Sequence, residues 1–197
     1  MNLFERVKNI LMAPKKEWQV IKGEKYSVMD LFVKYAIILA AIPAVCGFIG
    51  YAVFGFSFGY GSFTLPFAIN IKWAVFTYIL SLVGVFVIGF IIDLLAPSFG
   101  STKNLAESMK VVVFAYTASW IGGIFSIIPA LSFIGLLAGI YSLYLMYVGL
   151  EIVKSVPKDK MVGYFITTII VTIAVYFITG VIISSLVFGG YALTGAL

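Results

Sequence analysis

The sequence predicts an all-α fold: a polytopic membrane bundle of five transmembrane helices, preceded by short amphipathic helices at the membrane interface. Of the 197 residues, 62% are hydrophobic and 11% are charged, whereas about a quarter of the residues in a soluble domain are charged. The apolar residues also form five runs, each close to the ~20 residues that cross ~30 Å of hydrocarbon as a helix. A membrane is therefore the solvent that this composition requires.

The five apolar runs give the expected crossings in chain order. They cover approximately residues 35–54, 73–95, 111–128, 133–153 and 161–188. Between the third and fourth runs only "SIIPALSF" interrupts the apolar sequence. Because proline breaks the hydrogen-bond ladder of a helix interior, Pro129 is expected in a tight turn that separates two crossings.

The positive charges predict the orientation of the bundle. Of the 13 lysine and arginine residues, all except Lys72 fall in residues 1–34 or in the two loops on the same side as this segment. Cytoplasmic segments collect lysine and arginine, so the amino terminus is expected in the cytoplasm and the carboxyl terminus outside. Residues 1–34 are then a cytoplasmic, amphipathic, basic segment, and residues 35–197 a five-helix transmembrane domain.

Two short amphipathic helices are predicted within the basic segment, in "LFERVKNILM" and "PKKEWQVIKG", where apolar residues recur at helical spacing. Candidate interfacial residues are Arg6, Lys8, Lys15, Lys16 and Trp18. Two alternatives stay open: the helices lie in the lipid headgroups, or they pack under the bundle. Ser27, followed three residues later by Asp30, predicts a helix start ahead of the first apolar run.

The fourth crossing has two unlike faces. Gly135 and Gly139 lie on a face of small residues that predicts close helix packing. Opposite them are tyrosines and a glutamate, which together with a polar stripe on the fifth crossing form a candidate polar face. Its members are Tyr141, Tyr144, Tyr147, Glu151, Thr168, Thr172 and Tyr176. Either these side chains line a wetted groove, or the threonines bond back to their own helix and the tyrosines anchor at the interface.

Asp93, near the end of the second crossing, is a candidate partner in an intramembrane ion pair. A carboxylate at this depth is costly without a cation, and Lys110 or Lys154 could supply one.

Several classes of protein are excluded by what the sequence lacks. Without histidine neither an H-E-x-x-H metal site nor a Ser-His-Asp triad can form. The acids are scattered and no phosphate-binding G-x-x-x-x-G-K-[ST] loop is present, so no catalytic site, metal or cofactor is expected. The net charge of +5 follows from topology, and no basic face with exposed aromatics indicates nucleic-acid binding.

Three fragments carry a resemblance to a known family: "LFERVKNILMAPKKEW", "SFGSTKNLAESMKVVVFAYTASWIGGIFSIIPAL" and "GIYSLYLMYVGLEIVKSVPKDKMVGY". In order and spacing they resemble short prokaryotic members of the Yip (Ypt-interacting protein) family. The resemblance implies an integral protein of a prokaryotic cell membrane with five crossings. Ala118, where the family typically has proline, implies a straighter third helix.

The resemblance also bears on function. Eukaryotic members resemble trafficking factors that bind Rab-type GTPases through longer cytosolic amino-terminal regions, which this chain does not share, so GTPase binding is not carried over. The leading hypothesis is a non-enzymatic membrane protein that acts through membrane lipids or other membrane proteins. The alternative is a small transporter or channel with a polar pathway between the fourth and fifth crossings.

Overall fold

Five long helical segments form the bundle in the computed structural model, which describes residues 2–57, 62–63 and 66–194. Each is long and apolar enough to cross a membrane. The segments are Val28–Phe54, Phe67–Phe99, Leu105–Ile127, Pro129–Ile152 and Lys158–Val187. The predicted all-α polytopic bundle is therefore confirmed, and every predicted crossing overlaps an observed segment.

The helices have the following bounds in chain order. The first half contains α1 (Leu3–Met12), α2 (Pro14–Gly23), α3 (Val28–Leu31), a π-helical turn (Phe32–Ala36), α4 (Ile37–Phe54), α5 (Phe67–Leu95) and a 3₁₀ turn (Ala96–Phe99). The second half contains α6 (Leu105–Ala115), α7 (Thr117–Gly122), two 3₁₀ turns (Gly123–Ile127 and Pro129–Leu131), α8 (Ser132–Ile152) and α9 (Lys158–Thr194). A two-residue antiparallel ladder, β1 (Phe56–Ser57) with β2 (Ser62–Phe63), lies between α4 and α5.

The first crossing begins earlier than its apolar run because a polar side chain caps it. The Ser27 hydroxyl accepts a hydrogen bond from the Asp30 amide at 3.0 Å, which satisfies one of the free donors at a helix start. The predicted cap is confirmed, and the helix continues from Val28 through the π-helical turn into α4. The expected boundary between residues 34 and 35 thus falls inside a helix.

The third crossing is the centre of the bundle. Its most apolar stretch is 61% buried, against 11% for the last crossing, and every residue from 108 to 118 is buried. Its helix assignment is interrupted at one residue, since α6 ends at Ala115 and α7 begins at Thr117; the straighter helix that Ala118 implies stays a prediction. The Ser119 amide, just after this interruption, donates to the Ser142 hydroxyl of α8 at 2.9 Å. A side chain of the fourth crossing thus accepts a hydrogen bond from the backbone of the third.

The first and third crossings touch backbone to backbone near their carboxyl ends. A Cβ atom at Gly50 would lie 2.2 Å from the carbonyl oxygen of Ser126. Only glycine permits this approach of α4 to the 3₁₀ turn that follows α7. Pro129 begins the next turn, as its position in the sequence predicts.

Candidate functional site

The two amino-terminal helices pack against one end of the bundle. We call α1 and α2, with Asn2, the amino-terminal hairpin. Ile10, Trp18 and Ile21, the apolar side of this hairpin, are 0% exposed. Lys22 Nζ donates to Ser155 Oγ at 3.1 Å, which joins the hairpin to the turn between α8 and α9. We call this end, with the loop at 100–104 and the turn at 153–157, the basic end.

Trp18 is the side chain that seats α2 on α8. A Cβ atom at Gly149 would lie 2.8 Å from the indole ring of Trp18, so the glycine provides the space that the ring occupies. On its other side the indole meets Phe114 of α6 edge-on, with ring centroids 6.4 Å apart. The indole therefore joins the hairpin to the third and fourth crossings at once.

Arg6 is the centre of a buried ionic cluster. Its side chain is 5% exposed, and the guanidinium pairs with Glu17 and donates to Glu24 Oε1 at 2.7 Å. The Tyr26 hydroxyl donates to Glu24 Oε2 at 2.5 Å, and the guanidinium lies 5.6 Å from the ring centre of Phe114. We call Arg6, Glu17, Glu24 and Tyr26 the Arg6 cluster; it ties α1, α2 and the segment before α3 together.

A lysine of the third crossing holds the other end of α2. Lys110 is 1% exposed, and its amine donates to the backbone carbonyls of Ile21 at 3.3 Å and of Glu24. These carbonyls lie at the carboxyl end of α2, where a cation is favoured by the helix dipole. The amine also pairs with Glu107 at 2.9 Å. Lys110 therefore binds the hairpin and not Asp93.

Asp93 joins the ends of three crossings. Its Oδ1 accepts hydrogen bonds from the Asn104 amide at 2.7 Å and the Ser108 hydroxyl at 3.0 Å. Lys154 Nζ lies 3.5 Å from the same oxygen and donates to the Thr102 carbonyl at 2.7 Å. Of the two cations considered from the sequence, Lys154 is the one beside Asp93.

Hydrogen bonds within the Arg6 cluster favour the charged forms of Glu24 and Arg6. Burial works to raise the pKa of Glu24, but hydrogen bonds from Tyr26 and Arg6 outweigh it and leave this pKa lowered. Burial works to lower the pKa of Arg6, but the hydrogen bond to Glu24 and nearby negative charges raise it overall. Burial and the hydrogen bond to Glu24 raise the pKa of Tyr26 to about 12.

The tyrosine face of α8 lies beside the hairpin. The Tyr141 hydroxyl donates to the Leu11 carbonyl of α1 at 2.8 Å. Tyr144 is 41% exposed, and its ring centroid lies 5.6 Å from that of Tyr141. Tyr147 meets Phe165 of α9 edge-on at 5.1 Å, and Glu151 is exposed.

The polar stripe of α9 faces a different side of α8. A cavity of about 420 Å³ separates these two helices. Its lining includes Gly135, Gly139 and Ser142 of α8 with Thr172 and Tyr176 of α9. The three tyrosines do not belong to this lining, so they and the threonines do not form one groove, because α8 turns its small face toward the cavity.

Three further observations place the α9 residues. Thr168 donates back to the Tyr164 carbonyl at 2.9 Å. The Tyr176 ring stacks on Tyr116 with centroids 6.2 Å apart. The buried Thr172 hydroxyl has no hydrogen-bond partner within residues 2–57, 62–63 and 66–194.

The candidate interfacial residues divide into two groups. Lys8, Lys15 and Lys16 are exposed on the hairpin. Arg6 and Trp18 do not face lipid headgroups but follow the second alternative, since they lie on the inner side of the hairpin and are buried. Amphipathic spacing reveals that a helix has an apolar side, but not whether lipid or protein covers it.

The sequence interpretation missed Glu17, Glu24 and Tyr26 of the Arg6 cluster. The sequence contains a signal for them: Arg6 lies four residues before Ile10 on α1, and Glu17 lies four residues before Ile21 on α2. Each charge is therefore on the same helix face as a core residue. Opposite charges on two apolar faces are expected to pair when both are buried.

Comparison with known proteins gives a family and two relatives. The sequence matches the family described as Yip1 domain over residues 8–182. Two relatives from Escherichia coli, of strain K12 and of O6:H1, are both called inner membrane protein YohC. Each is 27% identical over 166 residues, covering 82% of this chain and 85% of the relative. No solved structure matches.

Replacing Arg6 by Gln should release the hairpin. Removing one member of a buried pair leaves an uncompensated charge and costs about 3 kcal/mol, so amide exchange across α1 and α2 should accelerate while the five crossings keep their protection. Lys8→Gln, an exposed change on the same helix, should have no effect. Replacing Glu17 and Glu24 by Gln as well should recover part of the loss. Equal protection in Arg6→Gln and Lys8→Gln would contradict this role of Arg6.

Acid should also loosen the hairpin. Because the folded pKa of Glu24 is lowered, its stabilisation is fully present above the ordinary glutamate value of 4.5 and is lost as pH falls through the folded value. Amide exchange of α1 and α2, corrected for the intrinsic effect of pH, should therefore rise in acid. Glu24→Gln should be less protected at neutral pH and have a flatter profile. A profile identical to that of the unchanged chain would exclude Glu24 as the group that titrates.

Proposed function

We propose that this chain, which belongs to the Yip1 domain family, is a non-enzymatic, membrane-organising or trafficking-type protein that acts through contacts with lipids or other membrane proteins. Membership in the family and the five apolar crossings make it a multi-pass protein of a bacterial membrane. The proposal assigns the contacts to the outer face of the amino-terminal hairpin.

One observation carries the proposal: the hairpin is fixed to the bundle through its inner face and leaves its lysines outside. Among the described residues, charged side chains on the inner face pair within the chain, as Arg6 does with Glu17 and Glu24. Lys8, Lys15 and Lys16 remain exposed. A rigid basic surface beside a membrane attracts anionic lipids and acidic protein surfaces.

We further propose that the basic end faces the cytoplasm. Residues 1–34, 100–110 and 153–160 together contain all the lysines and arginines except Lys72, and this asymmetry supports the assignment. The outer face of the hairpin would then meet the inner leaflet and cytoplasmic partners.

The cavity between α8 and α9 favours a second candidate, a small transporter or channel. It measures about 420 Å³, within the ~300–1,000 Å³ common for ligand sites, and its wall contains the Thr172 hydroxyl, which has no hydrogen-bond partner among the described residues. Most of its lining is apolar, which fits lipid or packing defects better than a path for ions.

Photo-crosslinking in native membranes tests the leading proposal. A benzoylphenylalanine in place of Val20 on the hairpin should give discrete adducts with a protein or a phospholipid, and these should diminish when Lys15 and Lys16 are changed to Gln. Val181 on α9 is the control position, because both valines are 51% exposed. The same diffuse adducts from both positions would contradict the proposal.

Cysteine labelling tests the second candidate. In a Cys46→Ser background, Thr172→Cys and Ser142→Cys place thiols in the cavity wall, and Leu145→Cys places one at a fully buried position. We expect no reaction of any of them with a small aqueous thiol reagent. Rapid reaction at positions 172 and 142 but not at 145 would favour a transport pathway over the leading proposal.

A further inference from the structure

We propose that a cleft between α2 and α8 binds the phosphate of an anionic phospholipid from the surrounding membrane. This inference rests on the function proposed above and names the ligand and the site. The cleft measures about 530 Å³ and combines polar side chains of α2 with mostly apolar side chains of α8. Its lining consists of Lys15, Lys16, Gln19, Lys22, Val148, Glu151 and Ile152.

The charge of the cleft suits a phosphate. Three lysines face one carboxylate, that of Glu151, so the lining has a net charge of +2 at neutral pH. A lysine amine is a compact cation that binds phosphate as a point charge. Even with the negative charge of Glu151, the lining has an excess of positive charge, which an anionic headgroup would balance.

The helix that carries the lysines is held in place by the same contacts that seat the hairpin. Lys15, Gln19 and Lys22 recur at spacings of four and three, which puts them on one face of α2. That helix is fixed by Trp18 against Gly149, and Lys22 Nζ already bonds Ser155 Oγ at 3.1 Å. A preorganised site loses less conformational entropy when a ligand binds.

The neighbourhood of the cleft favours a lipid over a soluble phosphate. Along α8, Tyr144 lies one turn before Val148 and is 41% exposed, and Ile140 lies one turn further, where it also lines the edge of the cavity between α8 and α9, and is 58% exposed. A charged cleft is thus followed by a phenol and then by an aliphatic side chain. This is the order of phosphate, glycerol ester and acyl chain in a phospholipid, and tyrosine is enriched at that boundary of the membrane.

This arrangement also accounts for Tyr144, which does not face the cavity between α8 and α9. Tyr141, its neighbour, is bonded to the hairpin through Leu11, so the tyrosines lie at the same level as α1. The exposed phenol of Tyr144 is then the contact for the ester region of the bound lipid.

Native mass spectrometry of the full chain in detergent tests the inference, with phosphatidylglycerol as the anionic probe and phosphatidylcholine as the neutral one. Lys15→Gln with Lys16→Gln should weaken phosphatidylglycerol binding about 10-fold or more, the scale expected for two basic residues at an anionic surface. Lys158→Gln with Lys160→Gln is the matched control, since both lysines are exposed outside the cleft lining. It should bind phosphatidylglycerol as the unchanged chain does.

A second variant guards against loss of binding through misfolding. Glu151→Gln raises the net charge of the cleft lining and should tighten phosphatidylglycerol binding while leaving phosphatidylcholine unaffected. Equal losses in the two lysine pairs, or no gain in Glu151→Gln, would overturn the inference. Displacement of phosphatidylglycerol by millimolar inorganic phosphate would overturn it in favour of a soluble ligand.

The two proposals fail in different ways. Discrete protein adducts from the Val20 crosslinker, together with no preference for phosphatidylglycerol, would leave the proposed function standing and remove the lipid site. A preference for phosphatidylglycerol with diffuse adducts from Val20 would keep the lipid site and remove protein partners from the proposed function.

Discussion

The buried guanidinium of Arg6 is the interaction on which the basic end depends. An unpaired cation in a protein interior costs several kcal/mol, so Arg6 is tolerated only where Glu17 and Glu24 meet it. Those carboxylates lie on α2 and just after it, so the requirement for pairing folds α1 back on α2. Lys110 then anchors the carboxyl end of α2 to the third crossing.

The consequence is an amino-terminal segment that belongs to the bundle. An amphipathic helix in a headgroup layer turns its apolar side to lipid and can detach. Here Ile10, Trp18 and Ile21 are covered by protein, so the backbone of α2, which carries the exposed lysines, is held beside α8. The basic cleft exists because of this arrangement, since one wall comes from α2 and the other from α8.

The number, order and approximate extent of the crossings follow from the sequence, because a run of some 20 apolar residues has few alternatives to a membrane helix. The cap at Ser27 and the turn at Pro129 were predictable for the same local reason. The tertiary contacts were not. Lys154 and not Lys110 is the neighbour of Asp93 because the docked hairpin takes Lys110, and the sequence does not show where the hairpin docks. Helical spacing alone also does not reveal which face of α8 lines the α9 cavity. That face contains Gly135 and Gly139 and not the three tyrosines.

The hairpin has one position on the bundle, and a distance measured across their contact tests this most directly. In a Cys46→Ser background in lipid nanodiscs, spin labels at Val20 on α2 and Lys158 at the start of α9 would report the separation by pulsed electron resonance. The structure predicts a single narrow distance distribution at neutral pH. A broad distribution, as expected of helices that float in the headgroups, would contradict it.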